Sequence, residues 1–436
     1  MYSSLECRLS KTLRQTIGAL AIALISLSVC SQDHVANKGQ IVTSAPAVIM
    51  STNDMQDNGV MFGDEPIGFV RNESNGNVVA FSAGGSFSGI DKRGAFPPGT
   101  YMFTGTFDHL VPSLGVDHRP HYLLTTGLDQ RSPDGSDFDL DYAGGGPTYN
   151  FPVLHKQKGV VSVQRVLLQV YHGEYHYGHP SSMPAYGGSG LAVSSDSGAS
   201  FKKLGQILYP HLARQDYLRT NPKGGLWSDG AMIAADSSGH YVSNILPTTK
   251  DYGSIYFYFL FTERNAPEET GSSVSLARIK ASELMEAVAQ QRTPVLHKYF
   301  NPVGTGKREK EFFTEPGLGG RSTPVINPGR LEFINSPYVI YDSQIKKFIL
   351  SYQVSQKRIV IRTADDLYHW SLPVELVNLE HDENQRLFNP SMVGLGADPQ
   401  VSRGEFYVYY LQRSDTKFGL REPRLMRVKV TLNSHS

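Results

Sequence analysis

The run Tyr171-His172-Gly173-Glu174-Tyr175-His176-Tyr177-Gly178-His179 closes an otherwise apolar stretch with imidazoles, tyrosine rings and one carboxylate. These types together suit a sugar, because aromatic faces stack on the apolar side of a pyranose while His and Glu read its hydroxyls. A carboxyl desolvated among tyrosines has its pKa raised and can protonate a leaving group, so Glu174 is the candidate general acid. Tyr171, His172, Tyr175 and His176 are the candidate substrate contacts beside it. Cleaving a glycosidic bond needs a second, ionised carboxyl across that bond. Candidates precede strand-like runs in Asp64-Glu65-Pro66 and Trp227-Ser228-Asp229-Gly230, and Asn335-Ser336-Pro337 and Asn389-Pro390-Ser391 stand in similar places. Asp229 is expected as the base or as a pKa-tuning carboxylate, and Asp64 or Glu65 as the remaining acidic partner. Trp227, Asn335 and Asn389 complete the expected substrate contacts.

Other chemistries have weaker support. Asp117-His118-x-x-His121 and His172-x-x-x-His176-x-x-His179 offer metal-ligand types, but on a strand this spacing lacks the helical geometry that marks zinc sites. Asp137-x-Asp139-x-Asp141 starts like a calcium loop, yet Tyr142 replaces the turn glycine and Thr148 the closing Glu, so a solvated acidic loop is expected. No metal site and no cofactor is assigned, and a single structural cation is the most the pattern allows. Gly-rich phosphate loops, Gly-x-Ser-x-Gly elbows and Cys-x-x-Cys pairs are absent from any strand-to-helix setting, which argues against nucleotide chemistry.

The elements that must hold these residues are strands. From about Met61 onward the chain divides into units of roughly fifty to seventy residues, each made of apolar or alternating runs punctuated by Gly, Asn, Asp or Pro. The clearest unit reads Pro337–Tyr341, Lys347–Gln353, Arg358–Thr363, a turn, then Trp370–Leu376. Another reads Gly159–Gln164, Val166–Tyr171, Gly190–Ser194, a turn, then Phe201–Leu208. Further units begin at Pro66, Gly230 and Ser391, and the stretch from Tyr101 to Leu154 is long enough to hold a sixth. One amphipathic helix is expected over Ala281–Gln290.

The turns carry a signature. Ser194-Ser195-Asp196-Ser197-Gly198-Ala199-Ser200-Phe201 has the Ser-x-Asp-x-Gly-x-x-aromatic spacing in which hydroxyl and carboxylate cap backbone donors and the aromatic plugs the turn. Thr363-Ala364-Asp365-Asp366-Leu367-Tyr368-His369-Trp370 is a looser copy. The first resembles the Asp boxes of sialidase-like propellers. The second resembles the Asp-Leu-x-x-Trp turn of five-bladed propeller glycoside hydrolases of the family 43 and family 32 kind. The acidic-Pro pair at Pro66 resembles the acidic-Pro opening of the first blade in family 43, where an Asp is the general base. The resemblance implies an all-β, five-bladed β-propeller and a glycoside hydrolase. A two-sheet sandwich is the competing architecture, and a non-catalytic carbohydrate-binding or scaffold propeller the competing function. A sialidase-like hydrolase would need arginines such as Arg119, Arg321 and Arg362 to clamp a carboxylate, and ranks below both.

Composition agrees, with Gly 42, Pro 25, Tyr 23 and Phe 21 among 436 residues and only 19% charged, a profile of short strands and turns. Lys+Arg 41 balances Asp+Glu 41, so no field of one sign draws nucleic acid, and carbohydrate is the expected partner. Arg8, Lys11 and Arg14 precede the apolar run Ile17–Val29, which reads as an export signal. Leu27-Ser28-Val29-Cys30 resembles a bacterial lipobox, so Cys30 is the expected lipidation site and membrane anchor. The expected organisation is a signal peptide over 1–29, a flexible tether over 30–60 and a propeller over 61–436, in an exported protein of the cell envelope or secreted medium.

Overall fold

In the computed structural model the described residues are 41–60, 65–72, 76–84, 99–115, 122–125, 138–139, 142–157, 160–175, 186–212, 230–242, 254–263, 272–302, 309–328, 332–416 and 419–433. The strand-forming runs gather into five separate antiparallel sheets, the blades of a five-bladed β-propeller, and not into a two-sheet sandwich.

The first elements among the described residues are β1 (Ile41–Thr43), β2 (Ala47–Met50) and helix α1 (Thr52–Asp57), which Ser51 and Asp54 cap reciprocally. Blade one follows as β3 (Gly68–Arg71), β4 (Val78–Gly84), β5 (Gly99–Thr106), β6 (His109–Pro112) and β7 (Tyr122–Thr125). Blade two is β8 (Tyr142–Gln157), β9 (Val160–Tyr175), β10 (Tyr186–Ser194) and β11 (Lys202–Leu208). Blade three is β12 (Ala231–Asp236), β13 (Ile255–Glu263), β14 (Ser273–Lys280), helix α2 (Ala281–Ala289), β15 (His297–Tyr299) and β16 (Phe313–Pro316). Blade four is β17 (Ile334–Asp342), β18 (Lys347–Val354), β19 (Arg358–Ala364) and β20 (Val374–Asn378). Blade five is β21 (Gln385–Gly394), then β23 (Glu405–Thr416) and β24 (Gly419–Leu432), with β22 (Val401–Ser402) pairing in parallel to β17.

Blade five takes its outer strands from the other end of the sequence: Ile41 pairs with Leu432, and Ala47 with Arg427. The tether expected over 30–60 is therefore ordered from Ile41 onward, because the open edge of β24 offers its backbone groups a partner. Blade two also departs from expectation. The two runs expected over 159–164 and 166–171 are not two strands: Val160–Gln164 and Val166–Tyr171 are parts of the single strand β9, and the inner strand is β8. Gln164 and Arg165 resemble a turn in sequence but are exposed residues inside a long hairpin. The stretch expected to hide a sixth blade is divided between β5 to β7 of blade one and β8 of blade two.

Both Asp turns join the third and fourth strands of a blade. In the first, Ser194 Oγ accepts the Gly198 amide at 2.8 Å, Asp196 accepts the Ser200 amide at 3.0 Å, and Phe201 packs edge-on against Phe81 of blade one. In the second, Asp366 and not Asp365 accepts the backbone donors, from Tyr368 and His369, each at 2.8 Å. Asp365 points outward to Lys347 at 2.9 Å.

Side chains between neighbouring blades form the core. Leu168, Val170 and Phe151 of blade two meet Met232 and Phe259 of blade three, with Leu284 and Val288 of α2 closing the same cluster. Tyr258 and Leu260 meet Val339 and Leu350 across the next interface, and Ile340 and Ile349 meet Met392 and Val408 across the one after it. Blades five and one meet through Tyr409, Leu411, Phe69 and Phe103.

Candidate functional site

The inner strands β3, β8, β17 and β21 share one local device, an x-Pro step just before the strand or within its first six residues: Glu65-Pro66, Gly146-Pro147, Ser336-Pro337 and Asn389-Pro390. In β8, β17 and β21 the step interrupts the strand register, since proline donates no ladder hydrogen bond. Ser336 and Asn389 sit at φ of 55° and 52°, a left-handed conformation that costs about 1–3 kcal/mol for a residue with a side chain and concentrates at functional sites. Gly146 serves a different need: a Cβ there would stand 1.9 Å from the Pro66 carbonyl oxygen, so only glycine lets β8 approach β3 this closely.

Buried polar groups stitch these starts together. The Ile67 amide donates to Ser391 Oγ at 2.6 Å, the Asn389 amide to Gln353 Oε1 at 3.0 Å, and Thr262 Oγ1 to Asn335 Oδ1 at 3.0 Å. Ser336 Oγ donates to Asn389 Oδ1, and the Gly145 amide donates to Thr100 Oγ1 at 2.6 Å. Asn335 and Asn389, expected as substrate contacts, are thus almost fully buried and engaged in holding neighbouring blades.

Glu174 lies one residue from the end of β9, opposite Tyr142 of β8, and its carboxylate is 3.1 Å from His172 Nε2. His172 is opposite Gly144 and is enclosed, whereas the Glu174 side chain keeps 13% of its surface exposed. Glu65 is buried at the start of β3, and its Cβ would be 3.3 Å from a Cβ placed on Gly146. Two of the expected carboxylates therefore flank one short segment of β8, Tyr142–Gly146, at the starting end of the axis. Tyr175 is half-buried beside them. Asp64, His176, Trp227 and Asp229 lie outside the described residues, as do Cys30, Asp117, His118, His121, Asp137, Asp141, His179 and Arg119.

Tyr171 is not available to stack on a sugar. It is buried against Phe138 and over Gly190, with its hydroxyl 3.5 Å from Asp139 Oδ2. Asp139 corrects the expectation of a solvated acidic loop, for it is fully buried and pairs with Lys203 Nζ at 2.6 Å. Burial pushes its carboxyl upward, and Lys203 opposes that. Arg321 and Arg362 do not form a clamp: Arg321 lies over Phe300 beyond β16, while Arg362 of β19 is held by Tyr352 and the Ser371 carbonyl. Among the described residues, no group of three or more His, Cys, Asp or Glu side chains is placed to hold a metal ion.

The sequence reading missed a second acidic centre, at the end of β13. Glu263 receives Lys298 Nζ at 3.0 Å, the His211 amide at 3.0 Å and Ser322 Oγ at 2.8 Å, with His211 Nδ1 3.2 Å away. Burial alone would push its carboxyl up, but Lys298 and His211 outweigh this and hold it at about 2. Lys298 is equally buried and also donates to the Tyr209 and Gly320 carbonyls. With every donor directed at it, Glu263 is a fixed anion that locks the 209–212 and 316–322 segments. The only sequence signal was an acidic residue at a strand end beside Thr262.

No family model and no curated protein matches the chain. Among solved structures it is similar to the catalytic domain of a GH62 α-L-arabinofuranosidase from Coprinopsis cinerea, at 11% identity over 90% of this chain and 97% of that one, with a TM-score of 0.43. A GH62 hydrolase in complex with xylotriose gives 11% identity, 89% and 97% coverage and a TM-score of 0.44. The xyloglucan PUL GH43B of Bacteroides ovatus gives 9% identity, 84% and 52% coverage and a TM-score of 0.39. The five-bladed architecture rests on the five sheets themselves, joined between the last strand and the first.

Proposed function

We propose that the protein is an exported glycoside hydrolase acting on a neutral glycan at the starting end of the propeller axis. The observation that carries this reading is the Glu174 carboxylate, partly exposed and 3.1 Å from His172, opposite the segment of β8 that Glu65 also flanks. Glu174 protonates the leaving oxygen. Glu65 is the ionised partner, with Asp64 its alternate, and Asp229 is the base or pKa-tuning carboxylate that precedes β12. Fixed donors and acceptors around two such carboxyls favour charge development at the scissile bond. Tyr175, His176 and Trp227 are the proposed substrate contacts. Export and lipidation at Cys30 belong to the same proposal, and Cys30→Ser should move the protein from the membrane to the soluble fraction.

The test is hydrolysis of a panel of arabino-, xylo- and gluco-oligosaccharides by the parent chain and by Glu174→Gln. The variant should lose turnover by at least about 100-fold while binding persists, because an amide keeps the hydrogen bonding but donates no useful proton. Equal turnover would remove Glu174 as the acid. Binding without cleavage by the parent would establish a carbohydrate-binding propeller instead.

A further inference from the structure

The finishing ends of the inner strands enclose a second concave region, away from Glu65 and Glu174. A cavity of about 330 Å³ is walled by the end of β3, the middle of β12 at Ile233 and Ala234, the Thr148–Pro152 part of β8 and the loop 397–400 that follows β21. Its volume is at the lower bound of ordinary ligand pockets, which run about 300–1,000 Å³, so it has room for a small ring and not for a chain. Tyr241 separates it from an adjoining open cleft of about 720 Å³, and Tyr241, Ala397, Asp398 and Val401 line both. Tyr241 is held rigidly, its ring stacked on Tyr341 at 3.7 Å and 9°. Burial, Asp398 and Tyr341 push its hydroxyl up to about 12, which keeps it a neutral donor.

The polar groups of the two compartments differ. In the cavity, Asp398 and Arg165 line the same wall, an acid and a guanidinium within electrostatic reach of one another. Adjacent sugar hydroxyls match such a pair, since each hydroxyl both donates and accepts. In the cleft, Lys346 and Arg403 are exposed and form no ion pair among the described residues. Glu405, the other acid there, is already neutralised by Lys429 at 2.8 Å. With Glu405 paired to Lys429, the cleft sets two cations, Lys346 and Arg403, against one acid, Asp398.

We infer that this finishing end is a second, non-catalytic binding site for an acidic oligosaccharide, with one ring in the cavity beside Tyr241 and the carboxylate of the next unit on Lys346 and Arg403. The inference does not depend on hydrolysis at the opposite end. Calorimetric titration of the full exported chain with a galacturonic acid tetrasaccharide, and with the neutral galactose tetrasaccharide, tests it. The acidic tetrasaccharide should bind more tightly, and added salt should weaken it. The double variant Lys346→Ala/Arg403→Ala changes two exposed side chains, leaves the core intact, and should weaken binding by about tenfold or more. Asp398→Ala should weaken it further. The inference is overturned if neither tetrasaccharide binds, if both bind equally, or if binding survives the double variant but is lost in Glu174→Gln, which would place the ligand at the starting end.

Discussion

Glu174 and Glu263 occupy matching places in successive blades, at the ends of the second strands β9 and β13, and each has a histidine nitrogen 3.1 or 3.2 Å away. Their surroundings then diverge. Glu263 is 1% exposed and saturated by an ammonium, a backbone amide and a hydroxyl, whereas Glu174 keeps 13% exposure and faces the edge of β8. A carboxylate that every neighbour has already satisfied cannot exchange a proton with a ligand. One that keeps an open side can. Under the proposed function, the fold uses one strand position for two purposes, a buried lock at Glu263 and a reactive acid at Glu174.

The sharpest way to break this contrast is to remove a partner from the saturated acid. Lys298→Met should lower unfolding free energy by about 3–5 kcal/mol in urea titrations, because it strands a buried carboxylate. The paired change Lys298→Met/Glu263→Leu should recover much of that loss. An effect below about 1 kcal/mol would mean that Glu263 is not the lock described.

Acid titration probes the same acid without mutation. Glu263 is held at about 2 against an ordinary 4.5, so its contribution is complete above 4.5 and is lost as pH falls from there toward 2. The full difference corresponds to about 3 kcal/mol. The parent should lose stability through that window, and Lys298→Met/Glu263→Leu should lose about that much less. Parallel curves for the two proteins would contradict the assignment.

Glu174→Gln should do the reverse of the Lys298 change: turnover falls by at least about 100-fold while stability shifts by under about 1 kcal/mol. A large stability loss would make Glu174 a second structural acid and dissolve the distinction.

What sequence could reveal follows from how far apart the partners lie. Glu174 and His172 are two residues apart, and the x-Pro starts at Pro66, Pro337 and Pro390 are local patterns, so all could be read from the chain. Glu263 meets His211 and Lys298 across 52 and 35 residues, and no local rule joins them. Gly146-Pro147 went unread because β8 and β9 are each 16 residues long, which hid one hairpin as several shorter runs. The closure of blade five by Ile41–Met50 was hidden by the shortness of β1 and β2, whose partners stand at the far end of the chain. Tyr171 shows the converse, since an aromatic in a polar cluster looked like a sugar platform until its packing against Phe138 removed it.

The smallest expected effect separates the two Asp turns. In the first, Asp196 accepts from both the amide and the hydroxyl of Ser200 and from the Ser194 hydroxyl, and these bonds hold its carboxyl below the usual range despite some burial. In the second, the residue at the equivalent position, Asp365, faces solvent, and Asp366 has taken its work. Asp196→Ala should therefore cost about 1–2 kcal/mol, the scale of losing a capping residue, and Asp366→Ala about 1 kcal/mol. Asp365→Ala should cost under about 0.5 kcal/mol, since its exposed pair with Lys347 contributes little. The order can be measured from urea midpoints of the three variants at constant slope. If Asp365→Ala proved as costly as Asp196→Ala, position within the octet would matter more than hydrogen bonding. If all three were neutral, the strands on either side would be shown to set the turn without help from its carboxylates.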